Sequence, residues 1–361
     1  MLEDFASRPR FAGSETEAEA RTLCRAWLET RKFSVSEQWF TFSEFPGRYG
    51  PPFVSLLLIS VALISGQVYS WGGGAEPAIV FLLLGSATSV ALGVWLAKRG
   101  IFHLPWYRNV SVNLIARRGN PAVWLVAHID SKSQTIPMLA RVASVVATTV
   151  GFVGLTLSLV ADWITTIPGG GGVGAGVAVP IWTMVTVIAA VPMAVCLTRN
   201  KSPGAVDNAS GLIAVLLAAR GLPPSRELGV IVTSAEELGL AGARAYLASR
   251  PERAIALNCD TIDDRGGFLC MPGNPGGIAS QAVARAATAL GFPLRVRRLI
   301  PGILADSIAF ADSGWDSLTI SRGNIATLAR VHTSSDTRDR LDGSGIAQAA
   351  LLLAATIEEL S

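Results

Sequence analysis

The chain has 361 residues, of which half are hydrophobic and only 16% charged, with a net charge of +3 and a mean hydropathy of +0.44. That length allows one large domain or two ordinary ones, and so apolar a composition points to membrane-spanning segments beside a water-soluble part. A net charge of +3 is too small to imply a nucleic-acid partner, and none is expected.

The N-terminal "MLEDFASRPR" is acidic then basic and has no apolar core region, so no signal peptide is expected. In "GSETEAEARTLCRAWLETRKF", Ser14 followed by Glu17 is a capping-box signature that opens an amphipathic helix. The alternation in "SVSEQWFTF" (34–42) then predicts a strand. Cys24, Cys196, Cys259 and Cys270 show no paired spacing, which fits a reducing compartment better than a disulfide framework.

Four later stretches, 52–71, 77–97, 142–161 and 174–197, contain no Asp, Glu, Lys, Arg or His. Each approaches or exceeds the roughly 20 residues that cross a bilayer. They pair into two hairpins, joined by "WGGGAE" and "DWITTIPGGGGVG". The glycine run 169–172 lacks the Lys-Ser/Thr of a phosphate loop and reads as a turn. Neither linker carries Lys or Arg, whereas Arg48, Lys98, Arg99, Lys132, Arg141, Arg199 and Lys201 flank the opposite ends. The positive-inside rule then predicts an integral membrane protein of four spans, with both tips outside and the remainder in the cytoplasm.

The remainder (1–50, 98–141 and 198–361) reads as one discontinuous domain interrupted by hairpins at 51–97 and 142–197. Short apolar runs at 110–116, 122–127, 228–234, 254–259 and 317–321 alternate with helical patterns at 209–220, 239–249, 278–290 and 344–360. The fold class expected is α/β: a mostly parallel mixed sheet with helices on both faces and two inserted transmembrane helical hairpins. In such sheets ligands gather at the carboxyl ends of strands.

His128 and Asp130 follow the strand 122–127, Asp207 precedes a helix, and Glu236 and Glu237 follow the strand 228–234. Asp260 ends the strand 254–259, and His332 lies beyond the last strand. Singly these are ordinary caps, surface acids and structural histidines. Together they include two of the chain's three histidines, all placed where a parallel sheet would bring them together. The third, His103, sits in "IFHLPWY" and reads as interfacial. The chemistry this set supports is metal-assisted hydrolysis: zinc takes imidazole nitrogen and carboxylate oxygen, lowers the pKa of water to roughly 7, and in pairs needs one bridging carboxylate. A carboxylate that does not bind metal must shuttle the proton, and adjacent glutamates allow that division.

The order His-x-Asp, Asp-Asn-Ala-Ser-Gly, Glu-Glu-x-Gly, Asp, His-Thr-x-x-Asp-Thr, with the "FAGSETEAEA" helix and "NVSVNLIA" strand, resembles metallopeptidase family twenty-eight, the co-catalytic zinc aminopeptidases. The resemblance implies two zinc ions per chain and a peptide substrate cleaved at its N-terminal bond. It assigns His128 and Asp260 to one zinc and Glu237 and His332 to the other, with Asp207 bridging. Glu236 becomes the general base, Asp130 orients His128, and the peptide after Asp207 is expected to be cis. The lipid bilayer is the second partner implied by the spans; the oligomeric state stays open.

Two departures stand out. The segment 132–206 holds a hairpin where soluble relatives have a short loop, and Ser307 in "LADSIAFADSGWDS" replaces a histidine. A single-zinc glutaminyl cyclase, which "HIDSK" resembles slightly, and a catalytically inactive scaffold or receptor remain the alternatives. A transporter does not fit spans without ionisable residues.

Overall fold

The computed structural model describes residues 1–166, 176–249, 253–298 and 304–360. These form two compact units. One comprises Met1–Glu44, Pro105–Ser133 and Arg199–Ser361; the other comprises Phe45–Leu104 and Gln134–Thr198.

The first unit is built on an eight-stranded sheet. Its strands are β1 (Ser34–Ser43), β2 (Arg108–Arg118), β3 (Val123–His128), β4 (Leu228–Thr233), β5 (Ile255–Ile262), β6 (Gly267–Pro272), β7 (Leu294–Val296) and β8 (Asp316–Gly323). Their order is β1-β2-β4-β3-β5-β8-β6-β7. β3 pairs in parallel with β4 and β5, β5 with β8, and β6 with β7, whereas β1–β2, β2–β4 and β8–β6 are antiparallel. The sheet is therefore mixed, with its parallel part at the centre. That follows from the sequence of β3, six buried residues long: a strand covered on both faces reads as a continuous apolar run. Gly229 sits opposite Trp124, where any Cβ would come within 2.2 Å of the indole.

Helices cover both faces. α1 (Glu15–Glu29), α2 (Gly211–Gly221), α4 (Ile278–Ala289) and α6 (Ser344–Glu359) pack Cys24, Leu28, Leu216, Val283 and Leu353 against Leu125 and Ala127. α3 (Ala241–Ala248) and α5 (Asp306–Asp312) bring Tyr246 and Phe310 to Trp124, Val126 and Trp315 on the other face. Successive β3 residues thus feed opposite cores, as the period of two requires. Strands β6 and β7 and helix α5 have no counterpart in the sequence reading. β7 is a three-residue edge strand, β6 is the six-residue strand beside it without strong alternation, and α5 is a seven-residue helix.

The second unit is helical. Three helices of 29 residues, Phe45–Gly73, Ala75–His103 and Met138–Thr166, are long and apolar enough to cross a membrane. The fourth apolar helix, Ala178–Ala194, has 17 residues and rises about 26 Å at 1.5 Å per residue. It is shorter than the expected span 174–197. Pro192 lies in its last turn and Val195 leaves helical geometry, so the C-terminal end stops early. Positions 174–175 and the glycine run 169–172 lie outside the described residues. Within this unit Val61, Ala62, Leu82, Leu155, Leu159 and Val179 form a core. Small residues allow close approach: a Cβ on Gly154 would lie 2.3 Å from the Trp182 ring. Leu84, Leu157 and Ile188 face outward and stay exposed.

Candidate metal centre

β3 delivers His128 as its last residue rather than just beyond it, and β5 carries Asp260 inside its final turn of pleat. Asp207 lies in the segment Ala205–Ser210 that leads into α2, and its peptide bond to Asn208 is cis. Glu236 and Glu237 follow β4, and His332 follows the short helix Ile325–Arg330. All six are buried. Ala235, Thr261 and His332 adopt positive φ values of 55°, 61° and 63°. Each is itself one of these groups or adjoins one, and such strain concentrates where side-chain direction matters.

The carboxylate of Asp207 stands between two clusters. Its Oδ1 lies 3.2 Å from His128 Nε2, which is also 3.5 Å from Asp260 Oδ1. Its Oδ2 lies 2.9 Å from His332 Nε2, which is 3.1 Å from Glu237 Oε2. Two potential metal-holding triads, His128–Asp207–Asp260 and Asp207–Glu237–His332, therefore share one carboxylate. Donors bound tetrahedrally at the zinc distances of about 2.0–2.1 Å stand roughly 3.3 Å apart, and the four contacts bracket that value. His128 Nε2 and Glu237 Oε1 are buried without a hydrogen-bond partner, an arrangement that a cation would satisfy. The donor set fits zinc, a borderline ion that accepts both nitrogen and oxygen.

Glu236 stands apart from both triads, 4.0 Å from His128 Nε2. Burial pushes its carboxyl well above the ordinary range, and the charges of Glu237, Asp260 and Asp306 add to this against His128. Glu237 behaves oppositely: despite burial, His332 and Lys132 hold its carboxyl below the ordinary range. Burial lowers the proton affinity of His128, but the charge of Glu236 and the nearby carboxylates of Asp130, Asp207 and Asp260 overcome this and hold the imidazole well above its usual value. The adjacent glutamates thus have opposite proton affinities, the division that acid–base chemistry beside a metal needs.

Asp130 meets His128 through its main chain. His128 Nδ1 meets the main-chain carbonyl of Asp130 at 3.0 Å, while the carboxylate is 3.6 Å away. That carboxylate instead accepts the backbone N–H groups of Glu236 and Glu237, both at 3.2 Å. Asp130 therefore fixes one ring and two glutamates at once. Lys132, counted in the sequence among the basic flanks of the spans, is corrected by its place here: its ammonium lies 2.8 Å from Glu237 Oε2 and donates to the Glu237 carbonyl at 3.0 Å.

Further groups have no signal in the local sequence. Arg10 is buried and donates to the carbonyls of Phe5, Ile129 (2.9 Å), Pro203 (2.6 Å) and Gly204 (3.2 Å), tying the loop after β3 to the approach to Asp207. Gly204 is left-handed, and a Cβ there would fall 2.5 Å from the Asp207 carbonyl. Asp336 accepts from Val206 N at 2.8 Å and Asp207 N at 3.1 Å. Burial raises its carboxyl to about 7. Glu17 accepts from Gly13 N at 2.7 Å and from Ser234 Oγ, joining the first turn of α1 to the loop that carries the paired glutamates.

The profile of Peptidase family M28 matches residues 188–357. That stretch holds Asp207, Glu236, Glu237, Asp260 and His332; His128 and Asp130 precede it. No curated protein sequence matches the chain significantly. Among solved structures, the chain resembles a zinc aminopeptidase from Bacillus subtilis (TM-score 0.56, 14% identity, 99% of this chain and 93% of that one). It also resembles an aminopeptidase from Aneurinibacillus sp. strain AM-1 (0.58, 14%, 99% and 91%) and the LapA aminopeptidase of Legionella pneumophila (0.53, 13%, 99% and 69%). At such identities the likeness establishes a shared fold, a mixed sheet with helices as in zinc aminopeptidases.

Proposed function

We propose that the chain is a membrane-anchored zinc exopeptidase of family M28 that hydrolyses N-terminal peptide bonds. The observation that carries this reading is the single carboxylate, Asp207, shared by two histidine–carboxylate triads. Zinc bound there would polarise a carbonyl and make water acidic enough to attack at neutral pH. His128 and Asp260 would hold one ion, Glu237 and His332 the other, and Asp207 both.

The remaining work belongs to the chain's own side chains. Glu236 takes a proton from the attacking water and gives it to the leaving amine, a role that its raised proton affinity supports. Asp130 keeps Glu236 in reach by accepting its N–H, and its own carbonyl keeps His128 Nε2 turned toward the centre. His332 and then Lys132 hold Glu237 ionised against its burial.

The three 29-residue apolar helices support anchoring in a bilayer. Arg48, Lys98, Arg99, Arg141, Arg199 and Lys201 favour a cytoplasmic catalytic unit. A mononuclear, cyclase-like centre is the second reading, favoured by the Lys132 ammonium that already neutralises part of the Glu237 triad. Metal analysis of the purified full chain, alongside a panel of aminoacyl, dipeptide and N-terminal glutaminyl substrates, separates them. Two zinc ions with release of free amino acids support the first reading; one zinc with cyclised glutamine supports the second.

A further inference from the structure

The loops that present Asp260 and His332 also enclose a hollow of about 530 Å³. Three guanidinium groups line it, from Arg265, Arg330 and Arg340, against two carboxylates, Asp263 and Asp339. The carboxylates cancel them only in part, two negative charges against three positive ones. Asp263 Oδ2 is already engaged by Thr327 Oγ1 at 2.6 Å and Arg330 Nη2 at 2.8 Å. Asp339 is fully exposed, and its carboxyl is held below the ordinary range by Thr337, with Arg340 and Arg338 adding to this. Among the described residues, the side chains of Arg265 and Arg340 make no hydrogen bond or salt bridge. Arg330 leaves its Nε buried and without a partner. A hollow with one more guanidinium than carboxylates, two forks without a protein hydrogen bond and a buried Arg330 Nε without a partner has the chemistry that carboxylates and other oxyanions bind.

Its place relative to the metal centre is bounded by the chain. Arg330 precedes His332 by two residues, and Asp263 follows Asp260 by three. At no more than about 3.3–3.6 Å per residue, the backbone of these two wall residues lies within roughly 7–11 Å of the backbone of a ligand. An extended di- or tripeptide covers the same distance.

We propose that this hollow is an oxyanion subsite, filled by the C-terminal carboxylate of a di- or tripeptide whose N-terminal bond lies at the metal centre. The occupant rests on the peptidase reading; the anion chemistry does not. A free inorganic oxyanion has the same chemistry and is the other source.

The test uses the full chain, zinc-loaded, in detergent micelles. Sulfate binding is measured calorimetrically for the native chain, for Arg265→Gln/Arg340→Gln, and for Arg265→Lys/Arg340→Lys, which keeps charge but loses the forks. The zinc centre is common to all three, so its own affinity for sulfate drops out of the comparison. In parallel, the ratio of KM for a C-terminally amidated tripeptide to KM for its free acid is taken for each.

The glutamine pair is expected to bind sulfate at least tenfold more weakly and to lose about tenfold in the KM ratio, with the lysine pair between. Weakened sulfate binding with an unchanged KM ratio assigns the subsite to a free anion and overturns the substrate carboxylate. Equal sulfate affinity in all three proteins overturns the subsite itself. A chain that hydrolyses neither peptide while the sulfate difference persists refutes the peptidase reading and leaves the anion site standing.

Discussion

Replacing Glu17 by glutamine should change how stability depends on pH, by an amount that the structure specifies. The carboxyl is buried beneath the first turn of α1, and burial raises it from an ordinary 4.5 to about 7, with the charge of Asp130 adding to the effect and bonds from Ser234 and Gly13 opposing it. The folded chain therefore binds this proton more tightly than the unfolded chain. Its contribution to stability is fully present below pH 4.5 and is lost as pH rises to about 7. At about 1.4 kcal/mol per pH unit, the loss is roughly 3 kcal/mol. Asp306 and Asp336, also raised to about 7, lose stability over the same range, so the native chain alone does not isolate Glu17. The difference between chains does. Urea unfolding of the native chain and of Glu17→Gln, each at pH 5 and pH 8 in the same detergent, gives two stability drops. The drop should be smaller in the variant by about 2.5 kcal/mol, because part of the loss has already occurred by pH 5. Equal drops would refute the buried, protonated carboxyl, and with it the link from α1 to the loop of Glu236 and Glu237.

Glu236→Gln should reduce hydrolysis by at least about 10²-fold while plasma emission spectrometry still finds about two zinc ions per chain; activity within tenfold of native would exclude it as the base. Asp207→Asn should weaken retention of both ions during dialysis and His332→Ala mainly one, whereas the same single loss in both variants indicates a mononuclear centre. Arg10→Lys keeps the charge but cannot reach four carbonyls from one planar fork, so unfolding should cost about 1–3 kcal/mol less; unchanged stability by urea titration would show that the four contacts are dispensable. A cysteine at Gly73 in a cysteine-free chain should react with an impermeant thiol reagent in intact cells and one at Ser344 should not, and the reverse pattern would place the catalytic unit outside.

What was legible in the sequence was whatever one stretch of chain decides alone. Ser14 and Glu17 announce α1: Ser14 Oγ accepts from Glu17 N at 3.3 Å, although the Glu17 carboxylate returns to Gly13 N instead of the cap residue. The buried run of β3 reads as a central strand because every residue in it is apolar up to the histidine. That His128, Asp207, Glu237, Asp260 and His332 come together was legible because strand ends and loops of a parallel sheet converge on one edge. What was not legible depends on partners distant in sequence. Nothing around Arg10 says that its guanidinium will meet carbonyls 119 to 194 positions away. "HIDSK" does not distinguish a lysine flanking an apolar helix from one turned back onto Glu237. The fourth apolar segment was read by composition, which sees no difference between 24 apolar residues and a 17-residue helix ending near a proline.

The long-range clasps explain how the two candidate metal-holding triads stay together across the apolar insertion between their halves. His128 and Asp207 are 79 residues apart in sequence, and much of the intervening chain belongs to the helical unit. Their Nε2 and Oδ1 atoms must nevertheless hold a 3.2 Å relation. Closing so long a loop costs entropy that grows only with the logarithm of its length, so the insertion is thermodynamically tolerable provided that its two ends are fixed. They are fixed twice over. Arg10 spans from the carbonyl of Ile129 to those of Pro203 and Gly204, and Ser131 Oγ donates to Ser202 O at 3.0 Å. Asp336 then holds the backbone of Val206 and Asp207 from the far side. With both ends clamped by groups outside the insertion, the chain between them is free to lengthen or become apolar without moving the ligands. An apolar helical insertion can then occupy this loop while the neighbouring strands keep their geometry.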